Sequence, residues 1–332
     1  MAERDLIVIG ASAGGVEALT AVVSDLPADL PAAVLIVLHT NPHAPSHLPA
    51  ILRRASALPA FHPEDCELIR PGRVLVAPPD RHLAVEDSRV RVSRGATENG
   101  HRPAVDVLFR TAAKSYGPRV VGVVLTGNLD DGAAGLAMVK RCGGFAVVQD
   151  PEEADFPGMP ANALLQTAAD EVAPLAAIGP LLAGLAGSPL PASAVPPAAP
   201  EEAGEPLEPG RPVGVPPPGA PSGYTCPSCG GALWERPDEG PMHFRCRTGH
   251  AFSVESLLAL QSSALETALW EALRSLEENA ALARRLQQRL RNAGSQSVAR
   301  YERRAMSAEM HAEVLRGILY GEGNEPGNGR ES

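Results

Sequence analysis

Ser12, His39 and Asp131 supply a hydroxyl, an imidazole and a carboxylate, the three groups of a serine acyl-transfer site. Ser12 lies in Gly10-Ala11-Ser12-Ala13-Gly14, a G-x-S-x-G pattern where an apolar run turns into a helical one. The glycines permit a tight turn that presents the hydroxyl while helix N–H groups face a developing oxyanion. A phosphate-binding loop and a plain turn fit the same residues. A dinucleotide fingerprint wants glycine where Ser12 stands, and the next apolar run, Ala33–His39, ends without an acidic residue. His39 closes that run, where an imidazole would be held firmly. Asp131 follows Asp130 in Leu125-Thr126-Gly127-Asn128-Leu129-Asp130-Asp131-Gly132, and the acidic pair also suits a helix N-cap. Taken singly, each residue keeps its plain alternative. Jointly, three strand-end loops of one parallel sheet can bring them together, because neighbouring strands lie only ~4.8 Å apart.

A second cluster reads as a metal site. Cys226, Cys229, Cys246 and His250 are spaced C-x2-C-x16-C-x3-H. Thiolates and an imidazole at these intervals can close a tetrahedral Zn²⁺ site, structural because four protein ligands leave no open position. Pro227 and Gly230-Gly231 suit a tight knuckle. The plain alternative is a chance cluster in a buried core, but so short a segment would struggle to fold without a staple. His39, His43 and His47 are spaced by four, yet Pro42 and Pro45 interrupt the stretch, so they do not share a helix face and are set aside as ligands. Cys66 and Cys142 read as ordinary thiols.

The elements that must position these groups alternate. Asp5–Gly10, Ala33–His39, Val120–Leu125 and Phe145–Gln149 read as buried strands. Gly15–Leu26, Ser46–Ala55, Asp106–Tyr116 and Gly132–Arg141 read as helices, Asp106 standing near a helix start. Val74–Ala77 is a short strand, and Leu83–Val85 with Val90–Ser93 form a hairpin. The expected class is α/β, a doubly wound and mostly parallel sheet with a β-hairpin, followed by a small zinc-knuckle and helical-hairpin module. In such sheets function gathers beyond the C-terminal strand ends.

The chain has 332 residues, 44% of them apolar and 20% charged, enough for a core and roughly two domains. Aromatics are 4%, so Ala, Val, Leu and Ile must build the core. A net charge of −10 argues against bulk nucleic-acid binding. Arg245, Arg247, Arg284, Arg285, Arg289 and Arg291 read as a solvated basic face. No run approaches ~18 apolar residues, so no membrane span is expected, and Leu6–Ile9 is too short for a signal peptide. Five cysteines, three of them in the knuckle, indicate a reducing, cytoplasmic setting. Residues 188–222 hold 12 of the 33 prolines, together with Glu201, Glu202, Glu205 and Glu208, and read as a disordered linker. The division is thus a catalytic domain at 1–187, the linker at 188–222, a zinc knuckle at 223–252, a helical hairpin at 253–320 and a frayed tail at 321–332. In the hairpin, Leu265, Leu269, Ala272, Leu276, Ala280, Ala283, Leu286 and Leu290 form an apolar stripe, and a second helix is expected over Ala299–Leu319. The stripe serves either internal packing or association with a partner.

Residues 6–165 resemble the catalytic domain of the chemotaxis protein-glutamate methylesterases (CheB-type). The resemblance rests on IGASAGGVEAL (9–19), the strand ending at His39, LIRPGRVLVAPPDRHL (68–83), GHRPAVDVLF (100–109), GVVLTGNLDDGAAGL (122–136) and DFPGMPANAL (155–164). It implies Ser12 as nucleophile, His39 as general base and Asp131 as the residue orienting His39. Backbone N–H groups near Ala13 would serve the oxyanion, with Ala13 and Asn128 in the oxyanion and substrate loop. The implied reaction hydrolyses glutamate γ-methyl esters, and the same chemistry deamidates glutamine. No cofactor is implied for catalysis. The implied substrate is a methylated chemoreceptor or related signalling protein, with a methyltransferase or sensor as a further partner. Similar knuckles follow such domains in orphan members of the family. Many members carry threonine in place of Ala13, most carry methionine and glycine where Asn128 and Leu129 stand, and methionine is usual where Thr40 stands. The family's N-terminal receiver domain is not expected, because the first strand begins at Asp5. These departures motivate the alternative of a non-catalytic signalling adaptor that binds a partner through its zinc-helical module.

Overall fold

A strand with all six side chains buried must be covered on both faces, and two such strands form the centre of the structure. The computed structural model describes residues 3–190, 219–236, 243–290 and 295–321. Most of the expected linker and nearly all of the expected tail lie outside these residues. The elements in order are β1 (Leu6–Ala11), α1 (Gly15–Ser24), β2 (Ala33–Leu38), α2 (Leu48–Ala55), β3 (Ala60–Phe61), β4 (Val74–Val76), β5 (His82–Glu86), β6 (Arg89–Ser93), α3 (Val105–Tyr116), β7 (Val120–Val124), α4 (Ala133–Arg141), β8 (Phe145–Gln149), α5 (Gly158–Gln166), β9 (Glu171–Ala173) and α6 (Leu175–Leu185). Then follow β10 (Pro221–Thr225), β11 (Ala232–Glu235), β12 (Phe244–Cys246), β13 (Ala251–Phe252), α7 (Val254–Arg289) and α8 (Ser295–Tyr320).

Seven strands pair in the order β3-β4-β2-β1-β7-β8-β9, all parallel. Alternate residues of each strand feed two cores. Leu6 and Val8 face Val105, Leu108 and Leu136, while Ile7 and Ile9 face Leu19, Val22 and Ile178. Helices therefore cover both faces, as a doubly wound sheet requires. The chain passes from β1 to β2 on one side and returns to β7 on the other, so the strand order reverses at β1. That reversal opens a crevice beyond the carboxyl ends of β2, β1 and β7. The β5–β6 hairpin is a separate two-stranded sheet. Its turn residues Asp87 and Ser88 both take positive φ, 45° and 63°, as a two-residue hairpin turn needs.

Strands β10 to β13 form an antiparallel four-stranded sheet in sequence order. It belongs to the same compact unit as the large sheet, Met1–Leu257. The second unit, Leu258–Ser332, holds most of α7 and all of α8. Its buried seam is largely alanine: Ala280, Ala283, Ala305, Ala308 and Ala312, with Leu273. Small side chains let two helices approach closely. The expected stripe is met only in part, since Leu265 and Leu286 are exposed and Leu273, not Ala272, is buried. Ion pairs Arg284–Glu309 and Arg316–Glu277 and an edge-to-face contact of Trp270 with Tyr320 flank the seam. Among the described residues, no helix is long and apolar enough to cross a membrane.

Candidate functional site

Each of the three acyl-transfer candidates follows a central strand. Ser12 comes one residue after β1, and its N–H donates to the Thr126 carbonyl at 3.0 Å, lacing it to the loop after β7. Gly14 takes φ +71°, open to glycine at little cost, and α1 begins there. Gly127 has no room for a side chain: a Cβ would lie 2.8 Å from the Ser12 Cβ and 2.2 Å from Met159 Sδ. His39 comes one residue after β2, and its N–H continues the ladder to the Ala11 carbonyl at 3.2 Å. Asp131 ends the loop after β7.

The structure brings the three side chains together. His39 Nδ1 lies 3.2 Å from Ser12 Oγ, and His39 Nε2 lies 2.7 Å from Asp131 Oδ2. The side chains of His39 and Asp131 are only 7% and 2% exposed. Neither Asp130 nor Asp131 caps α4 through its side chain; Gly132 is the capping residue. Instead the carboxylates are exchanged between helices. Asp131 accepts from the N–H groups of Val105 and Asp106 at 2.7 and 3.1 Å, at the start of α3. Asp106 accepts from the N–H groups of Gly132 and Gly135 at 3.0 and 2.7 Å, at the start of α4. A negative charge at a helix N-terminus is favoured by the unpaired N–H groups there.

These contacts set the electrostatics. Burial works against a charge on Asp131, but the His39 hydrogen bond, the charges of His39 and His101 and the Val105 N–H outweigh it and hold the carboxyl well below its usual range. Burial, with the charges of Asp131 and Glu98, pushes Asp106 well above the usual range. The His101 ring stacks on His39, centroids 3.7 Å apart and planes 23° apart. Burial and the neighbouring His39 pull His101 down to about 4, so a neutral ring lies against the imidazole at neutral pH. Glu98 is buried against Arg110 in a two-pronged ion pair at 2.7 and 2.9 Å. Burial opposes its charge and Arg110 prevails, holding Glu98 at about 2.

Of the loop residues singled out from the sequence, Ala13 accepts from Thr126 Oγ1 through its carbonyl at 3.1 Å. Asn128 is exposed. Beside it Leu129 takes φ +62°, a left-handed backbone that L side chains resist. Asn99, His101 and Asp106 complete the site, and sequence reasoning assigned none of them to it. The signal for Asn99 was the Asn-Gly pair at 99–100, a turn signature, and both residues indeed take positive φ.

Cys226, Cys229, Cys246 and His250 also converge, with all their ligating atoms within 4.8 Å of one another. Cys229 Sγ to Cys246 Sγ is 3.7 Å, and His250 Nδ1 lies 3.7 Å from Cys226 Sγ and 3.5 Å from Cys246 Sγ. Such a cluster could hold a metal ion. His43 and His47 are exposed and stand outside it.

The CheB methylesterase family model matches residues 7–182. A putative protein-glutamate methylesterase/protein-glutamine glutaminase of Leptospira interrogans is 39% identical over 178 residues, covering 53% of this chain and 92% of that protein. Protein-glutamate methylesterase/protein-glutamine glutaminase 2 of Methanosarcina mazei is 38% identical over 180 residues, 52% of this chain and 49% of that protein. Counterpart 1 of Xanthomonas campestris pv. campestris is 41% identical over 192 residues, 54% of this chain and 51% of that protein. The chain thus spans about half the length of several curated relatives it matches. The crystal structure of the Thermotoga maritima CheB methylesterase catalytic domain is 33% identical, with a TM-score of 0.53 over 56% of this chain and all of that domain. A parallel sheet whose order reverses at β1, the Ser12 turn that follows β1 and the agreement of sequence over residues 7–182 carry one conclusion: the chain belongs to the CheB methylesterase family.

Proposed function

We propose that the chain is a protein-glutamate methylesterase that hydrolyses glutamate γ-methyl esters on a chemoreceptor-type protein, and deamidates glutamine by the same route. The observation that carries this reading is the 3.2 Å approach of His39 Nδ1 to Ser12 Oγ with Asp131 2.7 Å from the other ring nitrogen. In this arrangement Nδ1 accepts the Ser12 proton while Nε2–H is held by Asp131, the reverse of the ring assignment in chymotrypsin-type triads. Ser12 Oγ attacks the ester carbonyl and its proton passes to His39. The tetrahedral intermediate collapses, the C–O bond to methanol breaks, and His39 returns the proton to the leaving methoxide. Water, deprotonated by His39, then attacks the acyl-enzyme and releases glutamate. With glutamine the leaving group is ammonia. Asp131 stabilises the imidazolium and fixes its orientation. Since the Ser12 N–H is committed to Thr126, the Ala13 N–H is the donor assigned to the oxyanion, worth ~3–4 kcal/mol when aimed well. Asn128, exposed at the mouth of the loop, is assigned to the substrate side.

The domain assignment proposed is the catalytic domain at 1–187, the linker at 188–222, a zinc knuckle at 223–252, the helical hairpin at 253–320 and the tail at 321–332. Cys226, Cys229, Cys246 and His250 would hold structural Zn²⁺. Thiolates about 2.3 Å and an imidazole about 2.0–2.1 Å from a tetrahedral ion stand roughly 3.6–3.8 Å apart; three of the six pairs lie at 3.5–3.7 Å and all six within 4.8 Å, which supports that donor set. Zinc there supplies a folding staple and takes no part in the ester chemistry. The proposed setting is the cytoplasm, with a methyltransferase or sensor as further partner.

A second reading, a signalling adaptor working through its helices, is favoured by Met306, Met310, Val314 and Ile318, exposed at successive four-residue steps of α8. Methanol release from a methylated receptor separates the two. Wild type should release methanol, and Ser12→Ala should fall by about 10⁴-fold or more with an unchanged melting temperature. Equal release by both proteins would remove the esterase.

A further inference from the structure

The cysteine-bearing segment does more than follow the catalytic sheet: it meets the loop beside the triad. The β13 strand aligns with residues 97–99, where the Asn99 N–H donates to the Ala251 carbonyl at 2.8 Å and the Ala251 N–H to the Thr97 carbonyl at 3.2 Å. Arg245 of β12 lies 3.8 Å from the buried Glu98. The side chain of Asn99, itself buried, spans the two parts. Its Oδ1 accepts the Ser253 N–H at 3.0 Å, and its Nδ2 donates to Asp106 Oδ2 at 2.9 Å and Asp131 Oδ1 at 3.1 Å. On the adjoining residue, Asp130 Oδ1 accepts from the hydroxyls of Ser253 and Ser256 at 2.9 and 2.8 Å. All these groups lie within one compact unit.

Asp131 has four N–H partners: Val105 and His39 on Oδ2, Asp106 and Asn99 on Oδ1. Three of these come from the catalytic sheet's own helix and strand ends. The fourth, Asn99, takes a left-handed backbone, φ +53°, and its backbone N–H and its Oδ1 are both occupied by the segment after His250. We propose that Asn99 is a positioning residue for Asp131, held in place by Ala251 and Ser253, so that the cysteine/histidine module sets the orientation of the triad from outside the catalytic fold. This rests on the esterase reading. A carboxylate that loses one donor and the fixed loop beside it pivots on the remaining bonds, and the imidazole it orients turns with it.

The test uses the full chain and a fluorophosphonate probe that modifies an activated serine, whatever the natural substrate. Wild type should be labelled at Ser12, with Ser12→Ala unlabelled; a wild-type Ser12 no more reactive than an ordinary serine overturns the esterase reading beneath the proposal. Given labelling, Asn99→Ala should react about 10–100-fold more slowly, the size of loss found when a residue that orients a metal ligand is removed. Its acid limb should move to higher pH, because Asp131 with one donor fewer draws a proton toward the imidazole more strongly. The downfield proton resonance of the His39 Nε2–H should shift. Ser253→Ala loses the hydroxyl that donates to Asp130 Oδ1 and accepts the Ser256 N–H at 3.1 Å, so the segment whose backbone holds Asn99 loosens; it should slow labelling several-fold, and Ser253→Thr, which keeps a hydroxyl, should restore it. Should Asn99→Ala fail to fold, the Ser253 pair still decides. Wild-type rates, pH profile and proton resonance in the folded variants would overturn the proposal.

Discussion

The two larger sheets of the Met1–Leu257 unit solve the folding problem by different means. In the seven-stranded sheet, β1 and β2 bury all six of their residues, and two apolar cores close over them. At about 25 cal/mol per Å² of apolar surface, burial on both faces holds such a sheet with no need of a ligated ion. In the four-stranded sheet, β10 has no fully buried residue, and β11 and β13 contribute one and two. Two of its most buried groups are Cys226 and Cys246, which are also half of the ligand cluster. The lesson is that chemistry replaces volume where the chain is too short to make a core. The large sheet can spare its strand ends for polar, strained loops. The small sheet gathers its cysteines into a cluster that could hold a metal ion and turns its other polar residues toward those loops.

Breaking that comparison at its strongest point gives the largest expected effect. Chelation of the full chain, or Cys226→Ser, should unfold β10–β13 while the large sheet persists, since structural zinc contributes about 10–16 kcal/mol of metal-coupled folding near pH 7. Hydrogen exchange reads the two sheets separately. Amides of β11 and β12 should lose protection while those of β1 and β7 keep theirs. Protection unchanged in both would show that the small sheet stands without ligation. If Asn99 is held as argued, the fluorophosphonate reactivity of Ser12 should fall in the same sample.

A smaller effect separates the Ser12/His39/Asp131 end of the large sheet from the rest by pH. His101 is held at about 4, chiefly by burial and then by His39, and His82 is lowered chiefly by burial. The unfolded chain would take up these protons near pH 6.5. The stability that follows is present above about pH 6.5 and is lost as the pH falls from there toward 4, by roughly 3 kcal/mol at most for His101. Glu98, held at about 2 through Arg110 against the cost of burial, gives a separate loss from about pH 4.5 toward 2. His101→Phe keeps a ring against His39 and should shrink the first limb to the share that His82 carries, leaving the second. Exchange of β1 and β7 amides at pH 7 and pH 5 checks this without interference from thiol protonation in the small sheet. Equal losses in variant and wild type would place the buried proton sites elsewhere.

How much of this was legible in the sequence follows the same division. The central strands were read to within a residue because full burial writes a continuous apolar run, as in Leu6–Ala11 and Ala33–Leu38. Ser12 and His39 stand one residue past those runs, so the runs located them. The edge strands β3 and β9, two and three residues long, carry no run to read. Helix α6 carries Pro180 inside it, and α5 opens with Gly158-Met159-Pro160, so neither announces a helix. The ligand cluster was visible because its spacing is local. Asn99 was not, because its decisive partner Ser253 is 154 residues away and an asparagine before a glycine reads simply as a turn. In α7 the expected stripe placed Ala272 inside, whereas the packed seam takes Leu273 and leaves Leu265 and Leu286 exposed, a choice made by the alanines of α8 and invisible in either helix alone.

The smallest expected effect tests the loop where this chain departs from the family pattern. Leu129 stands where glycine is usual by resemblance, and its φ of +62° shows what glycine would do there. A left-handed backbone costs an L side chain about 1–2 kcal/mol, while glycine gives back about 0.4–1 kcal/mol through the freedom of the unfolded chain. The side chain of Leu129 is half-buried, so its removal returns a further part. Leu129→Gly should therefore stabilise the protein by about 1 kcal/mol or less, read as a small rise in denaturation midpoint. The Leu129 carbonyl, which accepts from Asn162 Nδ2 at 3.0 Å, is untouched by the change, so the loop keeps its anchor and Ser12 reactivity should stay within a few-fold of wild type. A loss of more than about 1 kcal/mol would mean that the leucine side chain packs better than its backbone suffers, and that the large sheet's loops are held by apolar contact as its strands are.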